Sequence, residues 1–293
     1  MARPTNPFRG LAEGYFRLLR EERLVRVEPG SSIRSGRSGS SETAGTALIF
    51  APHPDDESLT GALALRLARQ CGMRVLVVPV TFGSRTDRRA ERMRELHEAC
   101  AWLGFGVVPT GPAGFGAVTP AARQSDPQTW ARAVQAAALI IADQRPAIIF
   151  APHAADRHPA HIGTHHLVLD ALAALSADFR CRLIETEYWA QMADPNLMVE
   201  SSVEDVADLV AAVSLHRGEV ARSSYHLSLP AWMIDNVRRG TELVGGFRAE
   251  APPCVFATLY RQSHWCHGAL QPPLKPGLFL PADGLPEFCG TEQ

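Results

Sequence analysis

The chain has 293 residues, 46% hydrophobic and 20% charged, with a formal net charge of -2. This is the composition of a soluble globular protein, long enough for one large domain or two small ones, and one α/β domain is the simpler reading. The charge gives no whole-molecule field for nucleic acid or an anionic membrane, and no stretch approaches the ~18 uninterrupted apolar residues of a membrane span.

Leu11, Tyr15, Leu18, Leu19 and Leu24 recur at mostly three- and four-residue spacings, which predicts a short amphipathic helix over 11–25 that packs on the main domain. The Ser/Gly/Arg tract Gly30–Ser41 is too poor in apolar residues to bury anything and reads as a flexible linker. From Thr46 strand and helix alternate: strand 46–51, helix 57–71, strand 74–80, helices 89–103 and 127–143, strand 147–151, helix 162–175, strand 182–187 and helix 203–215. The strands are continuous apolar runs, which indicates burial on both faces and a parallel sheet with right-handed crossovers. The expected fold is therefore α/β, a Rossmann-like, mostly parallel sheet flanked by helices in a single domain. The first strand leads into His-Pro-Asp-Asp-Glu instead of the glycine fingerprint of dinucleotide binding, which argues against a nicotinamide enzyme.

Beyond residue 217 the pattern weakens to a helix over 230–239, a strand over 255–260 and a Pro-rich tail expected to wrap the surface. The predicted organisation is thus a helix and linker over 1–45, the main domain over 46–261 and the tail over 262–293. Six cysteines form no C-x-x-C pair, several lie within apolar patterns, and Met1–Gly30 has no signal-type apolar core, so a reducing cytoplasm is expected. Arginines 85, 88, 89, 92 and 94 make a local basic run, read first as a solvated helix face.

Two segments carry the chemistry. Ala51-Pro52-His53-Pro54-Asp55-Asp56-Glu57 follows the first strand and precedes a helix, at the rim where open α/β sheets place ligands. An imidazole and a carboxylate three residues apart in a turn, His53 and Asp56, suit one divalent ion. Residues 146–166 repeat the layout, with a strand, a loop holding His153, Asp156, His158 and His161, and then a helix. His53, Asp56 and His161 are taken as the metal ligands, a set that leaves positions open for water and a substrate oxygen. Asp55, beside a ligand but pointing elsewhere, is taken as general base, with helix capping or orientation of a ligand as its other reading.

The pairing of His-Pro-Asp-Asp-Glu with a later His-Pro-x-His resembles the PIG-L/LmbE-like de-N-acetylases. Glu95–Gly104, Glu187-Tyr188-Trp189, Asp194-Pro195-Asn196 and Leu215-His216 are similar to further elements of that family, so the likeness spans about residues 46–261. The resemblance implies a zinc hydrolase, with ferrous iron the other candidate ion, that takes acetyl from an N-acetylglucosamine-type small molecule or glycoconjugate and releases acetate and a free amine. It gives His158 the role of stabilising the tetrahedral oxyanion, with service as a fourth ligand as the competing reading. It also places sugar or aglycone contacts near Arg92, Tyr188 and Trp189. The sequence departs from the family at Ala160, where the usual motif has Asp, so the acid that would keep His158 protonated is missing. Alternatives are a metal-dependent hydrolase of another amide or ester, and a sugar-binding member without turnover. His97 and His216 are read as ordinary packed or exposed side chains, and His264-Trp265-Cys266-His267 as a possible lid segment.

Overall fold

The computed structural model describes residues 9–20, 45–246, 248–273 and 275–285. Helix α1 (Arg9–Arg20) lies beside the later helix α10 (Tyr225–Leu243). The linker tract predicted over Gly30–Ser41 falls outside the described residues.

The first half of the domain contains β1 (Thr46–Ala51), α2 (Asp56–Leu59), α3 (Ala62–Gln70), β2 (Arg74–Pro79) and α4 (Arg89–Leu103), then the short strands β3 (Gly106–Val107) and β4 (Pro112–Phe115). Then come α5 (Pro120–Ser125), α6 (Pro127–Gln144), β5 (Ile148–Pro152), α7 (Pro159–Ala173), β6 (Cys181–Thr186), β7 (Leu197–Ser201), α8 (Val203–Ser214) and α9 (Arg217–Val220). After α10 follow β8 (Phe256–Cys266), β9 (Ala269–Leu270) and β10 (Leu278–Leu280). The sheet order is β10-β7-β8-β6-β5-β1-β2-β3, with β9 paired to β8.

Strands β3, β2, β1, β5 and β6 are mutually parallel, as continuous apolar runs require. Residues along β1 alternate between two cores. Ala47, Ile49 and Ala51 pack in the one that also holds Leu67, Leu96 and Leu209 of α3, α4 and α8, while Leu48 and Phe50 pack with Ile141 and Leu167 of α6 and α7. Each such fully buried Leu or Ile contributes about 1.5–3 kcal/mol. Strand β8 is the exception in direction, antiparallel to both β6 and β7, and the sheet is mostly parallel rather than wholly so.

Several local expectations change. The helix predicted over 57–71 is broken at Gly61, whose φ of +91° is left-handed and whose site has no room for a Cβ against Thr258 and Tyr260 of β8. The strand predicted over 255–260 runs on to Cys266, and the tail expected to wrap the surface supplies β10, which pairs parallel with β7. The His264–His267 segment, read as a possible lid, sits at the opposite end of the sheet from the β1 and β5 carboxyl ends, because Trp265 pairs with Cys181 at the start of β6. Cys100 and Cys181 are buried free thiols, but Cys71 is disulfide-bonded, so not every cysteine is the reduced, packed thiol that the spacing suggested. No helix among the described residues is long and apolar enough to cross a membrane.

Candidate active site

Parallel pairing of β1 and β5, with Ala47 opposite Ile148 and Ile49 opposite Phe150, brings the loops after both strands to one rim. In the first loop the His53 and Asp56 pair is closed by a local turn: Asp56 Oδ2 accepts the His53 backbone N–H at 2.9 Å and lies 3.3 Å from His53 Nδ1. From the second loop and α7, His161 Nε2 comes to 3.3 Å from the same oxygen. One ring nitrogen from each of His53, His158 and His161 lies within 4.8 Å of the others. All five residues singled out in the sequence, His53, Asp55, Asp56, His158 and His161, therefore meet at one place.

A spacing of 3.3 Å between donor atoms is what two donors about 2.0–2.2 Å from a shared ion, in tetrahedral arrangement, would show. His161 is fully buried, and neither ring nitrogen has a hydrogen-bond partner. Its Nδ1 faces Asp156 Oδ2 at 3.6 Å, the carboxylate placement that orients a metal-binding imidazole and fixes its tautomer. A buried imidazole aimed at a carboxylate and a second imidazole fits a divalent ion held by His53, Asp56 and His161. Burial alone would lower the His161 imidazole, but Asp56 and Asp156 outweigh it and push it up to about 10. Burial would likewise raise Asp56, yet His161 and His53 hold that carboxyl well below the usual range.

Asp55 behaves in the opposite way. It occupies the cap position of α2 with φ 122°, a left-handed backbone that costs a non-glycine residue energy and persists only when its surroundings enforce it. Glu57 Oε2 accepts its N–H at 2.9 Å, and its own Oδ2 accepts the Tyr225 hydroxyl of α10 at 2.5 Å. Burial first, and then the negative charge of Asp56, raise its carboxyl to about 7, against smaller lowering effects from His216, Tyr225 and Arg92. Glu57 is itself anchored by His216, whose Nε2 is 2.7 Å from Glu57 Oε1 with both side chains buried. His216 is thus part of the support beneath Asp55 rather than the ordinary helix residue expected.

His158 caps α7, and its Nδ1 accepts the Ala160 N–H at 3.2 Å. That bond leaves the ring proton of the neutral imidazole on Nε2. Burial, followed by the neighbouring His53 and His161, holds this imidazole below its ordinary value. Asp156 serves the His158 backbone, accepting its N–H at 2.8 Å, rather than its ring. The histidines at 153, 165 and 97 lie outside the cluster. His153 faces the Ala190 carbonyl at 2.9 Å, His165 faces the Pro152 carbonyl at 3.1 Å and Glu185 at 3.4 Å, and His97 is exposed. Tyr225 had no signal in the sequence. Glu57, Asp156 and His216 lay in segments already noted, but the Glu57–His216 and Asp156–His161 contacts had no signal either, because each depends on how the folded chain brings its segments together.

The cluster opens into a cleft of about 690 Å³, lined also by Thr119, Tyr188 and Tyr225. Trp189 and Trp232, 63% and 45% exposed, stand in its wall. Glu187 is taken up by a bidentate pair with Arg239, at 2.7 and 2.8 Å.

Residues 48–172 match the PIG-L family, described as GlcNAc-PI de-N-acetylase. The matched segment, which includes β2 to β5 and α7 as far as Leu172, is similar to that family's domain. Among solved structures, a conserved protein of Thermus thermophilus is 23% identical, with a TM-score of 0.54 over 73% of this chain and 92% of its own. The 4-carboxy-2-hydroxymuconate hydratase of Pseudomonas putida is 15% identical, with a TM-score of 0.55 over 74% and 95%. The N,N'-diacetylchitobiose deacetylase of Pyrococcus horikoshii is 14% identical, with a TM-score of 0.51 over 89% and 94%. These neighbours share the LmbE-like α/β fold, and since one is named a hydratase and another a deacetylase, the PIG-L fold alone does not set the reaction. No curated protein sequence matches the chain.

Proposed function

We propose that this protein is a PIG-L-type metal-dependent hydrolase that removes acetyl from an N-acetylated amino sugar, releasing acetate and a free amine. The observation that carries the reading is the convergence of His53 and His161 on one oxygen of Asp56, with Asp55 adjacent and the group opening into one cleft. His53, Asp56 and His161 would hold the ion, which when bound polarises a carbonyl and lowers the pKa of water; zinc and ferrous iron both suit the donor set.

The remaining roles belong to the chain's own groups. Asp55, raised to about 7, is suited to take a proton near neutral pH and to return it to the leaving nitrogen. Its Oδ2 is held by Tyr225, which leaves Oδ1 for that proton. His158 presents an Nε2–H donor to the oxygen of the reacting carbonyl. Trp189 and Trp232 offer apolar faces to a sugar ring or its aglycone.

The test is mass-spectrometric detection of acetate and free amine from a panel of N-acetylglucosaminides, free, lipid-linked and nucleotide-linked, with and without added zinc or iron. Metal-dependent loss of acetyl from at least one is expected. Tight sugar binding without acetate release would instead make the chain a binding protein, and turnover confined to other amides or esters would move the acyl specificity elsewhere.

A further inference from the structure

Helix α6 buries one side and leaves a second apolar side uncovered. Trp130, Ala133, Ala137 and Ile141 pack in the core with Leu167 and Leu172 of α7. On the outward side Arg132, Gln135, Leu139, Ala142 and Asp143 are exposed, and Leu139, at 64%, is among the most exposed large apolar side chains of the fold. Beside it a groove of about 570 Å³ lies between α6 and the end of α7, lined by Val134, Ala138, Ala142, Ala174 and Leu175. The one acid lining this groove among the described residues, Asp170, is already engaged. It accepts the Trp130 indole N–H at 2.8 Å and two donors of the Arg123 guanidinium at 2.7 and 2.9 Å. A protruding leucine next to an apolar slot marks a contact surface.

The charges on the same face say what covers it. At 3.6 residues per turn Arg132, Leu139 and Asp143 lie within about 40° of one another, with Arg132 and Asp143 about 16 Å apart along the axis and Leu139 close to their midpoint. Among the described residues neither charge is in an ion pair. Arg132 donates to the Thr129 hydroxyl at 2.8 Å, and Asp126, which feels its charge, is engaged in capping the helix at the Thr129 N–H. Asp143 accepts the amide of its neighbour Gln144. A face with a cation at one end, an anion at the other and a leucine between them is complementary to itself under a two-fold rotation. We infer that this face of α6 pairs with the same face of a second copy of the chain, the two helices antiparallel, so that each Arg132 meets the partner's Asp143. The two leucines at 139 then lie side by side at the two-fold axis, each entering the slot between the other copy's α6 and α7. The small side chains at 138, 142 and 174 let the helices approach closely. Such a contact makes every interaction twice and closes at two copies. None of these residues lines the cleft at the candidate active site, so the pairing is independent of the reaction proposed there.

Sedimentation equilibrium of the full chain, over a range of protein concentrations at low ionic strength, is the test. The parent is expected to dimerise. Leu139→Glu puts a charge at the two-fold axis from both copies and should raise the dimer dissociation constant about a hundredfold or more, on the scale of tenfold for each leucine lost from the contact. Arg132→Asp and Asp143→Arg should each weaken self-association, because like charges then face each other at both ends of the contact. Mixed in equal amounts, those two variants should form a heterodimer about tenfold or more tighter than either homodimer, since one copy then presents two acids and the other two arginines. That preference should shrink with added salt. A monomeric parent, a dimer indifferent to Leu139→Glu, or a mixture that associates no better than its components would overturn the inference. All three substituted positions are exposed, and melting midpoints matching the parent's establish that each variant is folded before its association is read.

Discussion

Burial and the charge of Asp56 raise Asp55 to about 7, while His161 and His53 hold Asp56 well below the carboxylate range. Adjacent carboxyls pushed apart in this way suit different tasks, one that keeps its charge and one that exchanges a proton. Asp56→Ala is therefore expected to lose metal, by elemental analysis, and activity together. Asp55→Ala should retain the metal while kcat falls about a hundredfold or more, as for a lost general base; equal loss of metal in both variants would show that the two roles are not divided. At His158 the neutral Nε2–H form is favoured twice over, by the Ala160 N–H directed at Nδ1 and by burial beside His53 and His161. Ala160 lies in the first turn of α7, where an introduced carboxylate is favoured by the helix dipole. Ala160→Asp should stabilise the imidazolium and raise the His158 pKa. If the charged form is the better donor, activity lost on deprotonation is then lost at higher pH. The alkaline limb of the pH–rate profile should move up with metal content unchanged, and a limb that stays in place while His158→Ala abolishes it would count against this coupling.

The helix α7 that carries His161 is positioned by how closely its second turn approaches the cleft wall. A Cβ built on Gly163 would stand 2.6 Å from the Val118 carbonyl carbon, which is backbone and cannot swing aside. Gly163→Ala is expected to destabilise the fold by about 1–3 kcal/mol, as overpacking does. It should also raise KM by displacing Val118 and Thr119 from the cleft, to be checked by denaturant titration and steady-state kinetics. Such contacts mark the limit of what the sequence makes legible at this scale. Strands β1, β2, β5 and β6 and helices α4, α6 and α8 stand within a residue or so of their predicted spans, because apolar runs and 3.6-residue periodicity are local signals. The five candidate residues could be picked out for the same reason, each lying in a short motif after a recognisable strand, and the fold brings them together. The break at Gly61, the reversed direction of β8, the joining of β10 to the sheet and the bond from Tyr225 to Asp55 depend on distant partners or on pairing order, and neither periodicity nor motif spacing encodes them.

Over the whole molecule, the ion would be held by loops from two separate βα units and so would bind the folded chain in preference to the unfolded one. A ligand at about a hundredfold its Kd stabilises by about 2.7 kcal/mol, which for a domain of this size corresponds to a Tm shift of about 5 °C or more. Dialysis against a chelator should lower Tm by that order, and stoichiometric zinc should restore it. In Asp56→Ala neither treatment should move Tm, which separates loss of the site from a general effect of chelator.

Arg66 of α3 is 1% exposed, and its guanidinium donates to the carbonyls of Glu200 at 2.9 Å, Pro281 at 2.6 Å and Ala282 at 3.0 Å. A charge this deep is tolerable only while those acceptors are present, since leaving it unpaired costs about 3–5 kcal/mol. During synthesis Arg66 emerges long before residues 281 and 282, so the growing chain cannot seal this part of its core until those residues have left the ribosome. A ribosome-bound chain stalled so that residues up to 277 have left the exit tunnel is expected to remain protease-sensitive around α3, and one stalled with residue 285 clear of the tunnel to become resistant. The segment from Leu278 to Ala282 thus sets the time at which folding can be completed.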